Sequence, residues 1–143
     1  MNTDTRLELR QREIIEEFEM FSDWMEKYEH IIEIGKELDP ISKEHKVDEN
    51  LIKGCQSRVW LHAELQSEGR VIFTADSDAI ITKGLVALMI RVLSDAEPLE
   101  IAKTELHFLE AIGLNSHLSP TRSNGLLSMV KQMKMYGIAF SAR

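Results

Sequence analysis

The sequence predicts an α+β domain in which helices pack on a small three-stranded antiparallel sheet, with helices at both chain ends. Three observations favour this class. Apolar residues recur at helical spacing near both termini. Apolar and polar residues alternate over residues 59–65, as in a half-buried strand. The resulting order of helices, strands and helices is typical of the α+β class.

Two helices are predicted before the strands. The first covers about residues 7–21, whose apolar positions fall on one helical face. The second begins after Asp23, because Asp23 followed by Glu26 resembles a capping box. Gly35 and residues 39–40 are expected to mark its end.

A hairpin is predicted in the middle of the chain. Residues 59–65 form its first strand, residues 66–69 the turn, and residues 71–74 the returning strand. A lone hairpin is only marginally stable in water. We therefore expect a third strand over residues 50–53.

Further helices are predicted after the hairpin, begun by a capping side chain or by a proline in the first turn. Their ranges are about 77–93, 98–102, 105–112 and 119–140. Asp76 or Ser77 is expected to cap the first of them, and Ser119 with Pro120 to begin the last.

Length and composition favour one globular domain over residues 1–143, with mobile residues at its N-terminus. The formal net charge is −7 and the basic residues are scattered, which argues against nucleic-acid binding. No stretch resembles a membrane span or a signal peptide. We therefore expect a cytoplasmic protein.

Cys55 is the only cysteine, so an internal disulfide is excluded. Gly54 precedes it and permits an unusual backbone conformation. Lys53 and Arg58 lie close in sequence, and positive charge favours the reactive thiolate. A lone cysteine is about as often a small buried hydrophobe, however, and composition does not decide between the two.

Four segments resemble the SufE family, sulfur-acceptor partners of cysteine desulfurases. The cysteine motif is GCQSRVW over residues 54–60. Residues 24–35, 76–85 and 117–126 resemble the family's N-terminal stretch, central helix opening and last helix start. The four segments follow the family order between about residues 20 and 135, and their order makes the resemblance specific.

The resemblance implies that Cys55 receives sulfur and holds it as a persulfide for iron–sulfur cluster assembly, with Gly54 and Gln56 as supporting residues of its motif. It implies a partner, a cysteine desulfurase that uses pyridoxal phosphate, and handover to an iron–sulfur scaffold complex. The chain itself would be a transfer partner rather than an enzyme and would need no cofactor or metal. A homodimer is left open, and a fold like that of IscU-type scaffold proteins is expected.

Arg122 and Asp78 are the other candidate site residues. Arg122 is predicted in the first turn of the last helix, where backbone N–H groups and the helix dipole favour anions. It could hold the thiolate or a partner carboxylate, or simply pair with a surface acid. Asp78 could cap its own helix or restrain the cysteine loop.

Two other functions use the same cysteine. A thiol hydrolase would need a histidine base. His62 is predicted on the opposite strand face from Cys55, and His117 would have to approach through folding. An iron–sulfur scaffold would need several thiolate or histidine ligands. One cysteine and five scattered histidines show no metal-ligand spacing.

Overall fold

The computed structural model describes residues 6–39, 41–54 and 57–142. The N-terminal residues predicted to be mobile lie outside these ranges, as do Pro40, Cys55 and Gln56. The helices are α1 (Arg6–Phe18), α2 (Trp24–Lys36), α3 (Ile80–Leu93), α4 (Pro98–Lys103), α5 (Phe108–Ala111), α6 (Leu114–His117) and α7 (Pro120–Ser141). No helix in the described part of the chain has both the length and the apolarity needed to cross a bilayer.

The described residues form a two-stranded antiparallel sheet of β1 (Val59–Leu65) and β2 (Val71–Ser77). The predicted third strand over residues 50–53 is not confirmed. A short 3₁₀ turn ends at Asn50 and another turn begins at Lys53, so the extended part is too short for a strand. Leu51 makes one antiparallel bridge to Trp60.

Helix α3 is the centre of the fold. Most of its side chains are buried, and it packs against α2 and the sheet. Gly84 allows the closest approach, because a Cβ there would lie 2.2 Å from the Ile31 carbonyl oxygen. Gly35 faces Gly84 from the last turn of α2, and the helix ends at Lys36, between Gly35 and residues 39–40 that were predicted to mark its end.

The start of α2 is confirmed. The Asp23 side chain accepts a hydrogen bond from the Glu26 backbone N–H at 2.9 Å. The Glu26 carboxylate accepts from the backbone N–H of Ser22 at 3.2 Å, one residue earlier than in a capping box.

The predicted cap of α3 is wrong. Asp76 and Ser77 belong to the end of β2, and α3 follows Ala79, which makes no side-chain capping bond. Strand pairing extends to the Val59–Ser77 pair, and this ladder outcompetes local capping. The Ser77 hydroxyl still accepts from the backbone N–H of Ala79 at 3.2 Å.

Helix α7 begins as predicted. The Ser119 hydroxyl accepts a hydrogen bond from the backbone N–H of Arg122 at 3.2 Å, and Pro120 occupies the first turn. Gly137 brings the other end of α7 close to α4, since a Cβ there would lie 2.8 Å from the Pro98 carbonyl oxygen. Its length carries α7 from α4 to Gly54 and Ser57, the described residues nearest to Cys55 in sequence.

Candidate functional site

The described residues on both sides of Cys55 lie against α7. Gly54 has a φ of +92°, and a Cβ there would lie 2.7 Å from the Ser128 hydroxyl oxygen. Ser57 lines a cavity together with Arg122 and other residues of α7. Gly54 and Ser57 therefore both lie against the N-terminal half of this helix.

A small cavity of about 50 Å³ lies between residue 57, the first turns of α3 and the start of α7. A polar cavity of this size can hold at least one water-sized group. Its wall combines hydroxyl groups, one cation and apolar side chains. The lining residues are Ser57, Thr82, Leu85, Ser119, Thr121, Arg122, Gly125, Leu126 and Met129.

Arg122 is half-buried in the wall of this cavity. Within residues 6–39, 41–54 and 57–142, no acidic side chain forms an ion pair with it. The reading of Arg122 as a surface arginine paired with an acid therefore finds no support there. Its guanidinium and the first turn of α7 together make this end of the cavity favourable for an anion.

Asp78 contacts the chain just after the cysteine. Its Oδ1 accepts a hydrogen bond from the backbone N–H of Arg58 at 3.0 Å. The Asp78 backbone N–H donates to the Arg58 carbonyl oxygen at 3.3 Å. Of the two possible roles, the geometry favours restraint of the cysteine loop over capping of α3.

Asp76 forms an ionic cluster at the end of β2. Its carboxylate lies 3.2 Å from the Lys46 Nζ and 3.5 Å from the Lys83 Nζ. Burial tends to raise the pKa of Asp76, but the hydrogen bonds from Ser77 and Lys46 and the Lys83 charge outweigh it and lower the pKa. The Lys46 Nζ also lies 4.7 Å from the ring centroid of Trp60. The cluster fastens residue 46 to the hairpin.

A second, larger cavity of about 480 Å³ is lined by residues 49–53 and by α7. The α7 residues in its wall include Ser128, Lys131 and Met135. The two cavities therefore share α7 as part of their walls. The sequence analysis did not predict Ser57, Thr82 and Ser128 as site residues. Only folding brings the hydroxyl groups of Ser57 and Thr82 to the first cavity and that of Ser128 to the second.

The histidines that sequence analysis considered as a base, His62 and His117, make contacts away from the two cavities. His117 stacks on Trp24 with ring centroids 4.4 Å apart, and its Nδ1 lies 2.9 Å from the Gly113 carbonyl oxygen. His62 stacks on His45 at 3.5 Å. In the described part of the chain, no histidine lines either cavity. Among the described residues, these two cavities therefore contain no histidine of the kind that a thiol hydrolase would use as its base.

Three of the five predicted site residues lie in the part of the chain that the structure describes. Cys55 and Gln56 lie outside the described residues, so their roles stay predictions. Gly54, Asp78 and Arg122 are described: Gly54 lies against Ser128, Asp78 bonds the Arg58 backbone, and Arg122 lines a cavity with Ser57. Among the described residues, no group of histidine and acidic side chains is arranged to hold a metal ion.

These features define a class of protein, an α+β domain in which the described residues on either side of its single cysteine, Gly54 and Ser57, lie against the first half of the last helix. The family is shown by comparison. A family model described as SufE, Fe-S metabolism associated domain, matches residues 12–137. The chain therefore belongs to the SufE family, as the four sequence segments predicted.

Two similar proteins agree with this assignment. An uncharacterised SufE-like protein of Synechocystis is 40% identical over 127 residues, covering 89% of this chain and 79% of that protein. The solution structure of a hypothetical protein from Thermus thermophilus superimposes with a TM-score of 0.77. It covers 94% of this chain and 97% of its own, and at 17% identity it supports the fold alone.

Proposed function

We propose that this chain is a sulfur acceptor and activator of a cysteine desulfurase, and that Cys55 carries the sulfur as a persulfide for iron–sulfur cluster assembly. Membership of a family of Fe-S metabolism supports the general role. One structural observation carries the specific one. Gly54 and Ser57, the described residues before and after Cys55 in sequence, both meet α7: Gly54 lies against Ser128, and Ser57 lines the cavity walled by Arg122.

The transfer step is an exchange between a thiolate and a persulfide. The Cys55 thiolate attacks the outer sulfur of the desulfurase persulfide. A sulfur–sulfur bond forms on Cys55, the bond within the desulfurase persulfide breaks, and the desulfurase cysteine leaves as a thiolate. The hydrogen stays on the transferred sulfur, so the step needs no external oxidant or reductant.

The supporting residues act on the anion and on the segment. Arg122 stabilises the Cys55 thiolate or persulfide at the cavity. Asp78 fixes the chain after the cysteine through the Arg58 backbone. Gly54 supplies the left-handed turn before it, and Gln56 completes the motif next to the sulfur.

The partners follow from this chemistry. A desulfurase that uses pyridoxal phosphate releases the sulfur, so this chain serves as its transfer partner rather than as an enzyme. A scaffold complex for iron–sulfur clusters then receives the sulfur in the cytoplasm. Homodimerisation is compatible with both steps.

The test is mass spectrometry of the intact protein after incubation with a cysteine desulfurase and cysteine. We expect the mass to increase by one sulfur atom, and a reductant such as dithiothreitol should remove it. Cys55→Ser should gain nothing while keeping the circular dichroism spectrum and unfolding midpoint of the parent. An unchanged parent mass in the presence of an active desulfurase would contradict the proposal.

A further inference from the structure

The charge of this chain is unevenly distributed. Its formal net charge is −7, yet the last acidic residue is Glu110. Residues 111–143 contain four basic residues, and they contain no Asp or Glu. Helix α7 is therefore a basic element in an otherwise acidic protein, and it attracts acidic groups.

Helix α7 also exposes apolar side chains along one face. Leu127, Met135 and Ile138 are 62%, 53% and 57% exposed. Lys131 and Lys134 lie between them, since residues three, four, seven and eleven apart share a helix face. We call the surface formed by these five residues the α7 stripe.

The charges of the α7 stripe are not neutralised within the described residues. Neither Lys131 nor Lys134 forms an ion pair with an acid in the part of the chain that the structure describes. By contrast, the exposed Lys36 on α2 pairs with Glu33 at 3.1 Å. Unpaired cations between exposed apolar groups suit a partner surface that is apolar at its centre and acidic at its rim.

The α7 stripe is continuous with the candidate sulfur site. Ser128, which adjoins Leu127 in sequence, faces Gly54. Lys131 and Met135 line the larger cavity opposite Lys53. A protein that delivers sulfur to Cys55 must approach this helix, so the donor is the partner that would meet the α7 stripe.

We infer that the α7 stripe docks the cysteine desulfurase, through an apolar contact edged by acidic side chains of the desulfurase. The inference rests on the proposed function and assigns the surface that recognises the donor. A symmetric pair of two copies through this face would bring their lysines together and is disfavoured. An anionic membrane would attract α7 but would be repelled by the remaining acidic surface.

The experiment compares two ways of loading Cys55 with sulfur. The first is a limiting amount of desulfurase with cysteine, and the second is inorganic polysulfide, which needs no docking surface. Leu127→Ser and Lys134→Glu disrupt the α7 stripe, and neither residue lines the two cavities of the candidate site. Leu99→Ser, on α4 at 52% exposure, and Lys36→Glu, on α2, are matched controls.

We measure the desulfurase-driven loading rate at acceptor concentrations below saturation. We expect the two stripe variants to lower this rate about tenfold, which is typical for truncation at an interface centre. Loading by polysulfide should stay at the parent rate, and the two controls should behave as the parent with both donors. Added salt should slow parent loading by the desulfurase and have less effect on Lys134→Glu.

Several outcomes would overturn the inference. Stripe variants loaded by the desulfurase at the parent rate would exclude docking there, while the proposed function would stand. Equal slowing with polysulfide would indicate damage to the cysteine segment instead. Loss of a dimer in size-exclusion chromatography, or of binding to phosphatidylglycerol vesicles, with normal loading would assign the stripe to those occupants. A parent protein that the desulfurase does not load at all would instead refute the proposed function.

Discussion

Glycine brings the chain against a neighbouring helix in two regions, and the two contacts differ in kind. At Gly84, the backbone of α3 meets the backbone of α2, and a Cβ would lie 2.2 Å from the Ile31 carbonyl oxygen. At Gly54, the chain before Cys55 meets the Ser128 hydroxyl, a side chain that can rotate away. The first contact is fixed because two backbones touch and leave no room for a side chain. The second depends on the φ of +92° at Gly54 and on the hydrogen bonds between Asp78 and the Arg58 backbone.

The α2–α3 contact at Gly84 contributes to the stability of the fold, whereas the contact at Gly54 belongs to the segment for which we propose a chemical role. The α2–α3 contact lies in the core and cannot change without repacking it. The segment after Cys55 is fastened to Asp78 by hydrogen bonds at the surface. Such bonds contribute little net free energy each, so the site can be altered without unfolding the domain.

The largest expected effect is at Gly84. Gly84→Ala should destabilise the protein by more than about 3 kcal/mol, because backbone atoms on both helices must separate. Gly69→Ala is the control: its φ is +86°, but nothing lies within 4 Å. Urea unfolding measures both changes. A similar small loss for the two variants would show that the close contact has little energetic weight.

Gly54→Ala should cost less, about 1–2 kcal/mol, mainly through the left-handed backbone conformation. Adding Ser128→Ala tests the origin of the loss. If the dihedral angle dominates, the double variant recovers little of the lost unfolding free energy. Recovery of most of it would show that the serine contact limits the segment.

Asp78→Ala should lower the unfolding free energy by about 1 kcal/mol, since it removes one surface hydrogen bond to the Arg58 backbone. Sulfur loading by the desulfurase should fall by more than this stability loss explains, because the segment after Cys55 is released. Asp78→Asn keeps an acceptor oxygen and should retain more loading. Unchanged loading in the alanine variant would remove Asp78 from the site.

The smallest effect concerns a contact far from the site. The hydrogen bond from Arg91, with a further one from His30, lowers the pKa of Glu17 below its ordinary value of 4.5, against the opposing effect of burial. Glu17 therefore stabilises the fold above pH 4.5 and loses this contribution as the pH falls through its folded-state pKa. Glu17→Gln should lower stability at pH 7 by less than about 1 kcal/mol.

The difference between the Glu17→Gln variant and the parent should shrink in acid. Thermal unfolding between pH 7 and pH 3 measures it. Glu33→Gln, at an exposed pair, is the control. If the stability difference between Glu17→Gln and the parent stayed constant from pH 7 to pH 3, it would not come from the charge of Glu17.

Prediction from sequence succeeded where one local signal was decisive. The start of α2 at Asp23 and the start of α7 at Ser119 follow from capping side chains, which act within one turn. It failed where distant partners compete. Asp76 and Ser77 have good capping side chains, yet pairing with β1 holds them in a strand. The expected strand at 50–53 shrank to one bridge because turns occupy both of its ends.

The sequence by itself determined the order of helices around a hairpin and the family, since these depend on local periodicity and on residue types in a fixed order. The role of Cys55 stays a prediction from the same motif. Only the tertiary structure decided that Asp78 contacts the backbone after the cysteine and that Arg122 and Ser57 share a cavity. These contacts join residues far apart in the chain. Their geometry arises from how α3 and α7 pack, which no local pattern encodes.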